Sequence, residues 1–524
     1  MSFPSSFPLR NPDPSQGRSG PARRDVLRAL GLGAAGLSVG GLGLLTSCAS
    51  DSSGSPAASG AGKGGSPSST AAPARAVPLY DPDLPYWEQG NFRGVPTEEM
   101  LTDLEVTGAI PPELSGLFVR NGSNTPEAST LHWFLGDGMT HGVRIVDGKA
   151  QWYSNRYVQT PLAVAGKDLL NFGGIPGQEN SQSNVALVHH AGKLLATGEV
   201  GWPYELNTDD LSTVGAWDFD GRLGSAMTAH PKIDPATGRM HFFGYDFFSP
   251  VISYYVADPS GVIDVVAEIP VDQATMIHDF AITDQDAVFW QGPVVFGADA
   301  ENPLPEVPFH WDPAGPSRVG VMPLDGRADQ IRWVDIPPCF VFHSLNAHRD
   351  GDDVVVLVHR LEDAFGRNGD LVPSKLTEWR IGTGGKDLTF TSTQLSDRNM
   401  DLPTHDRRHT GQQVRHGWCA TTSTPDAEYG FELEGICHVD LQTGAEDVWE
   451  PGPNQRSGEG FFVPTEAGEG EGYVLTYIYD RPSDLSSLGI FDAQDMGSGP
   501  VAQVQLPVRV PFGFHGLWVD EAAL

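Results

Sequence analysis

The chain predicts an all-β fold made of antiparallel hairpins repeated around one axis. Three observations support this. Short strand-like runs separated by turns fill the chain after its first eighty residues: LFVRNG, HGVRIVDGKAQWYS, VALVHHAGKLLATG, RMHFFGYDF, AVFWQGPVVF, DVVVLVHRL and YVLTYIYD. Long amphipathic helical patterns are nearly missing. Units such as IDPATGRMHFF, VADPSGVIDVVAEI and VDLQTGAEDVWEPG set an Asp a few residues before a Gly between apolar runs, the grammar of a hairpin turn. Such units recur over roughly 450 residues with no visible domain break, which suits radial repetition, because a propeller grows by adding blades without enlarging one core. Two β-sandwich domains are the alternative with the same strand content.

Taken in order, the N-terminus reads as a targeting segment. Arg23 and Arg24 in PARRDVLRAL precede a weakly apolar Gly/Ala/Leu run that ends at Leu45-Thr46-Ser47-Cys48. Twin arginines before a moderately apolar stretch resemble a twin-arginine export signal. The small residues before Cys48 resemble a lipobox, so residues 1–48 are expected to be a lipoprotein signal with Cys48 as the acylated residue. A single membrane-spanning anchor is the alternative reading of the same run. Residues 49–78 are rich in Ser, Gly, Ala and Pro and bury too little to fold, so they are expected to act as a flexible tether. Residues 79–524 form the expected β-propeller domain. The implied location is extracytoplasmic, lipid-anchored to the outer face of the cell membrane.

Charge narrows the function classes. The net charge is −34, from 33 basic and 67 acidic residues, and several of the arginines lie in the leader. No basic groove is available to neutralise phosphates, so nucleic-acid binding is disfavoured. A polybasic membrane patch is equally absent. Beyond Cys48 only Cys339, Cys419 and Cys437 remain, an odd number that cannot close a disulfide framework. Small buried hydrophobes are the expected role, with a Cys419–Cys437 pairing possible if their strands are neighbours.

Four of the 16 histidines stand in similar surroundings, each after a short apolar or small-residue run: SAMTAHPKID around His230, ATMIHDFAIT around His278, CFVFHSLNAH around His343 and PFGFHGLWVD around His515. Neutral imidazoles suit a first-row metal and leave its charge uncompensated. Their dispersal gives no local metal signature, and any one alone reads as a core histidine. The others take plainer readings. His132 and His141 belong to the HWFLGDGMTHG hairpin, and His189 and His190 to a hairpin tip. His405, His409 and His416 fall in a polar, Arg-rich stretch expected to be solvated.

In this order, the four histidine contexts resemble the iron-binding histidines of the carotenoid cleavage oxygenase family. The likeness extends to RNGSNTPEASTLHWFLGDGMTHGVRI and to LLATGEVGWPYEL, and it runs from about residue 80 to the C-terminus. It implies a seven-bladed β-propeller, with the histidines on inner strands and a loop or helical dome over the metal-bearing face. It implies one Fe(2+) per chain held by His230, His278, His343 and His515. Three carboxylates, Glu199, Asp401 and Glu459, are implied to orient three of them, because a ligating His usually donates its second ring N–H to such a group. Asp401 departs from the family's usual Glu and is expected toward His343. Glu459 is expected toward His515.

The implied activity is cleavage of a C=C double bond of a conjugated apolar substrate by O2, giving carbonyl products. A carotenoid or apocarotenoid is favoured over a stilbenoid, since NRYVQTPLAV offers Gln159 where stilbenoid cleavers are sought to carry a Lys. Phe134, Phe342, Phe514 and Trp518 are the expected pocket walls, with ordinary packing as the competing role of each. Two rival functions share parts of this pattern. A non-oxidative isomerase would use the same iron site without O2, and a metal-free propeller would serve as a binding module and carry no iron.

Overall fold

The computed structural model describes residues 81, 84–124, 132–166, 180–247, 249–297, 309–365, 373–423, 432–465 and 468–524. Two compact units divide the chain at residues 75 and 76, and every described residue belongs to the second. Arg23, Arg24, Cys48 and the expected tether lie outside the described residues.

Seven antiparallel sheets form the blades of a propeller. Blade 1 contains Gly116–Asn124, Asp137–Val146 and Lys149–Tyr157, with Glu99–Leu101 on its outer side. Blades 2 to 6 run in chain order, each a four-stranded meander, and start at Ala186, Lys232, Ala281, Phe340 and Met400. Blade 7 is built on Gly472–Asp480, Leu485–Asp492 and Ala502–Leu506. Hydrogen bonding closes the ring twice. The C-terminal strand Gly516–Asp520 pairs with Gly116–Asn124 in blade 1, Arg120 opposite Gly516, and the early strand Val106–Gly108 pairs with Ala502–Leu506 in blade 7. Closure hides strand edges that would otherwise template aggregation.

Alternating apolar residues explain why the sheets stack. Phe242 and Tyr255 of blade 3 pack on Val188 and Leu195 of blade 2, and Leu345 and Leu357 of blade 5 pack on Met400 and Cys419 of blade 6. Each face buries its branched and aromatic side chains against the next blade, so the core is a ring of inter-blade layers. The expected hairpin tip after His190 is a two-residue turn, Ala191 and Gly192, with φ of 53° and 73°. That left-handed pair matches the strand twist.

Two expectations need correction. His416 is not solvated: it starts the buried strand His416–Thr422, and its Nδ1 lies 2.9 Å from His438 Nε2. His405 is half-buried, 3.2 Å from the Thr410 hydroxyl. The stretch is polar because its groups satisfy one another, as Arg408 does with Asp406. Cys419 and Cys437 do sit opposite each other on neighbouring strands, and both are free, buried thiols, as is Cys339.

Candidate metal centre

The four histidines reach one point from four blades. His343 lies within the strand Phe340–Asp350, where the register slips between Val341 and Ser344. His230, His278 and His515 do not lie in strands. They end the segments that lead into Lys232–Ile233, Ala281–Ile282 and Gly516–Asp520. A ladder residue has its direction set by the pleat, whereas a pre-strand residue or a bulge can turn its side chain along the axis. Close backbone approach shapes the last segment: a Cβ on Gly513 would stand 2.8 Å from the Asn121 carbonyl oxygen.

Convergence is tight. The four donor atoms all lie within 4.8 Å of one another, with His230 Nε2 3.0 Å from His278 Nε2 and His515 Nε2 3.1 Å from His343 Nε2. Three carboxylates take the other ring nitrogens. Glu199 Oε2 is 2.6 Å from His278 Nδ1, Asp401 Oδ1 is 2.7 Å from His343 Nδ1, and Glu459 Oε1 is 2.8 Å from His515 Nδ1. Among the described residues no carboxylate holds His230. Glu199, Asp401 and Glu459 come from blades 2, 6 and 7, so each of the seven blades sends one of these seven side chains to the axis. The shorter Asp401 reaches His343 because it sits in Met400–Thr404 at a register shift of its own.

This donor set suits a cation. An ionised carboxylate only accepts, so Nδ1 of each held imidazole carries the proton and Nε2 presents a lone pair inward. Lone pairs 3.1 Å apart repel, as do three buried carboxylates around neutral rings, and one metal ion relieves both. Donors about 2.1 Å from an ion and at right angles would be about 3.0 Å apart, the spacing of the two closest pairs. Electrostatics agree. Burial, reinforced by the neighbouring imidazoles, holds His230 well below the ordinary imidazole value, so it is a neutral donor. Burial also brings His343 down to about 4 against the pull of Asp401. At His278 burial opposes the charge, but the Glu199 carboxylate prevails and raises it. Burial works against the Asp401 charge, yet His343 lowers its carboxyl to about 2.

Further residues, not picked out from the sequence, brace the carboxylates. The Tyr245 hydroxyl donates to Glu199, Ser374 Oγ donates to Asp401 Oδ2 at 2.8 Å, and the Gly516 N–H donates to Glu459 Oε2 at 2.5 Å. Lys232 and Asp279 tie two of the histidine segments through an ion pair of 2.7 Å, and Asp279 also accepts from the Ser344 backbone at 2.8 Å. The signal for that tie was adjacency: Lys232 is two residues after His230, and Asp279 follows His278.

Beside the histidines opens a cavity with a largely apolar lining. Phe134, Phe342 and Phe514 line it, in edge and tilted contacts with ring centroids about 6 Å apart. Trp518 does not. It stands three residues past His515 on a strand that advances about 3.3 Å per residue. Its ring covers Gly116 and its indole N–H donates to Asp520 at 2.7 Å. Phe247, Met276 and Trp133 also line it and were not picked out from the sequence, although Met276 stands two residues before His278.

A propeller whose axis carries four convergent imidazoles braced by carboxylates, under an aromatic cavity, defines a metal-dependent class of protein. The comparisons with known proteins give it a family. The model of the retinal pigment epithelial membrane protein family matches residues 92–520, and the chain belongs to that family. It is 33% identical over 498 residues to the carotenoid 9,10(9',10')-cleavage dioxygenase 1 of Phaseolus vulgaris, covering 85% of this chain and 92% of the relative. It is 35% identical over 504 residues to a carotenoid cleavage oxygenase of Mycobacterium tuberculosis, covering 83% and 97%. Among solved structures, the lignostilbene dioxygenase of Pseudomonas brassicacearum superposes with a TM-score of 0.75 at 27% identity, covering 85% of this chain and all of that one.

Proposed function

We propose that this chain is a non-haem Fe(II) dioxygenase that splits one C=C double bond of a conjugated apolar substrate with O2 into two carbonyl products. His230, His278, His343 and His515 would hold the iron, and Glu199, Asp401 and Glu459 would fix three of their imidazoles. The observation that carries the reading is the junction of the histidine cluster with an aromatic cavity: among the described lining residues, every ionisable group is one of those histidines or carboxylates. Four neutral donors leave coordination positions open, and a bound iron would supply O2 activation there.

The protein's own residues account for the rest. Phe134, Phe342 and Phe514 offer π surface to a polyene or stilbenoid and keep the double bond dry. Glu199, Asp401 and Glu459 keep the ring protons on Nδ1, so Nε2 stays a donor. No acid or base is required of the walls, since an alkene plus O2 balances to two carbonyls with no net proton transfer. The relatives' printed substrates, carotenoids and a lignostilbene, are both conjugated and largely apolar; a carotenoid or apocarotenoid is the favoured class for this chain.

The test is metal analysis of anaerobically purified protein, followed by product analysis across polyenals and stilbenoids with labelled O2. One iron per chain and label in both carbonyl products, read before exchange with water, support the proposal. Geometric isomers formed at an unchanged rate without O2 would move it to the isomerase reading. A chain without metal would leave only a binding module, for which three buried carboxylates on three imidazoles have no use. Export and lipid anchoring at Cys48 belong to the same proposal and rest on the twin arginines and the small residues before that cysteine.

A further inference from the structure

Three of the four imidazoles are held at the ring by a carboxylate, and among the described residues His230 is not. It is also the one of the four that is only half-buried. An imidazole turns about two side-chain bonds, and donors gathered within 4.8 Å leave little room for a wrong turn, so the aim of His230 has to come from its backbone.

The chain beside it supplies the means. Pro231 follows His230, and Lys232 comes next. A proline ring fixes its own φ and drives the residue before it into extended backbone, so His230 and Lys232 are joined by a stiff link. Lys232 Nζ lies 2.7 Å from Asp279 Oδ1, and the Asp279 side chain is 1% exposed. The same Oδ1 accepts the Phe280 N–H at 2.8 Å, while Oδ2 accepts the Ser344 N–H at 2.8 Å and the Ser344 hydroxyl at 2.7 Å. Asp279 is next to His278, and Ser344 is next to His343 at the register slip of that strand. One buried carboxylate thus joins the backbone beside three of the four histidines. Stability is a poor reason for such a pair, since desolvating two charges offsets their attraction. What it supplies is a directional contact between particular atoms.

We infer that Asp279 is a positioning residue for His230: through Lys232 it aims the imidazole that no carboxylate holds among the described residues, and through Ser344 it ties that aim to the segment of His343. This rests on the reading of the histidine cluster as a metal centre. It adds a fourth carboxylate to the support of that centre, one that acts on backbone and not on a ring.

Metal affinity and folding are measured on the same variants. Lys232→Met combined with Asp279→Asn removes both charges together, so no ion is left buried alone, and the asparagine oxygen can still accept from Ser344. Apo-protein is titrated anaerobically with Fe(II) and with Co(II) against a chelator, and urea unfolding of the apo-protein reads stability. The expected result is affinity for both ions weaker by about tenfold, the lower end of what a ligand's supporting partner contributes, with the unfolding midpoint unchanged. In a His230→Ala background the same two substitutions should change affinity by less than about twofold, because the ligand they act through is already gone. Lys232→Arg keeps a cation for Asp279 and should retain most of the affinity that Lys232→Met loses. Equal affinity in the parent and the double variant overturns the inference. A loss by the same factor in both backgrounds also overturns it, since the pair would then act through the fold at large. Should the double variant fail to fold, the single substitutions decide, and equal losses in Lys232→Arg and Lys232→Met overturn it. A parent protein that binds these ions but cleaves no conjugated alkene would refute the dioxygenase reading and leave this one standing. A parent that binds neither ion overturns both.

Discussion

Replacing Glu459 by glutamine tests the brace on His515 with almost no change of shape. The carboxylate is 5% exposed and accepts two hydrogen bonds, from His515 Nδ1 at 2.8 Å and from the Gly516 N–H at 2.5 Å. A glutamine has one oxygen to offer, so its NH2 must face one of these two donors. One charge-assisted hydrogen bond is lost, about 1.5–3 kcal/mol, and a buried N–H is left facing another. If His515 yields, its ring is free to place the proton on Nε2, which removes the lone pair aimed at the site. At about 1.4 kcal/mol per tenfold, the expected loss of metal affinity is about 10- to 100-fold, the range typical of a ligand's orienting partner. Competitive titration of the apo-protein with Fe(II) against a chelator reads this directly, and circular dichroism confirms that the blades remain. Affinity within twofold of the parent would refute the reasoning, since it would mean that the carboxylate neither sets the tautomer nor contributes charge to the site.

Other outcomes follow from the same geometry. His278→Ala should lose most of the iron and all turnover while the fold persists, because the packing lies between blades and not at the axis; stoichiometric iron in that variant would remove His278 from the ligand set. Burial holds the His132 imidazole down to about 3 against 6.5 when unfolded. A depressed folded value makes its contribution complete above about pH 6.5 and lost as pH falls toward 3. The unfolded chain alone holds that proton between these limits, which costs about 1.4 kcal/mol per pH unit. His132→Gln should therefore flatten the pH dependence of urea unfolding between pH 6 and 4 by up to that slope, and parallel curves would count against it. Cys48→Ala should abolish incorporation of labelled lipid into the chain, and a variant that still takes up label would end the lipoprotein proposal.

Local chemistry in the chain carried the strand content and the turns, whereas the identity of the converging histidines came through the family likeness. Period-two alternation and Asp-to-Gly turns are properties of a few neighbouring residues, so hairpins such as the one turning at Ala191 and Gly192 could be read directly. The pairing of Asp401 with His343 and of Glu459 with His515 was expected only through the family likeness, because no local rule joins residues 58 or 56 positions apart. The blade count had the same source.

Only the tertiary structure decided what depends on direction. Which residues face the axis was settled by pre-strand segments and by bulges, and periodicity is blind to both. Trp518, three residues from a histidine, was carried out of the cavity by the rise of its own strand, while Phe247 was brought in by the turn after Met240–Asp246. His416 was misjudged because the residues before it are polar, whereas it starts a buried strand and meets His438 on the neighbouring one. The division between satisfied and unsatisfied buried donors lay furthest from the sequence. Asn184 and Gln182 are two residues apart and both are buried amides, but among the described residues only the Asn184 Nδ2 donates to carbonyls, and that follows from how seven blades close around one axis.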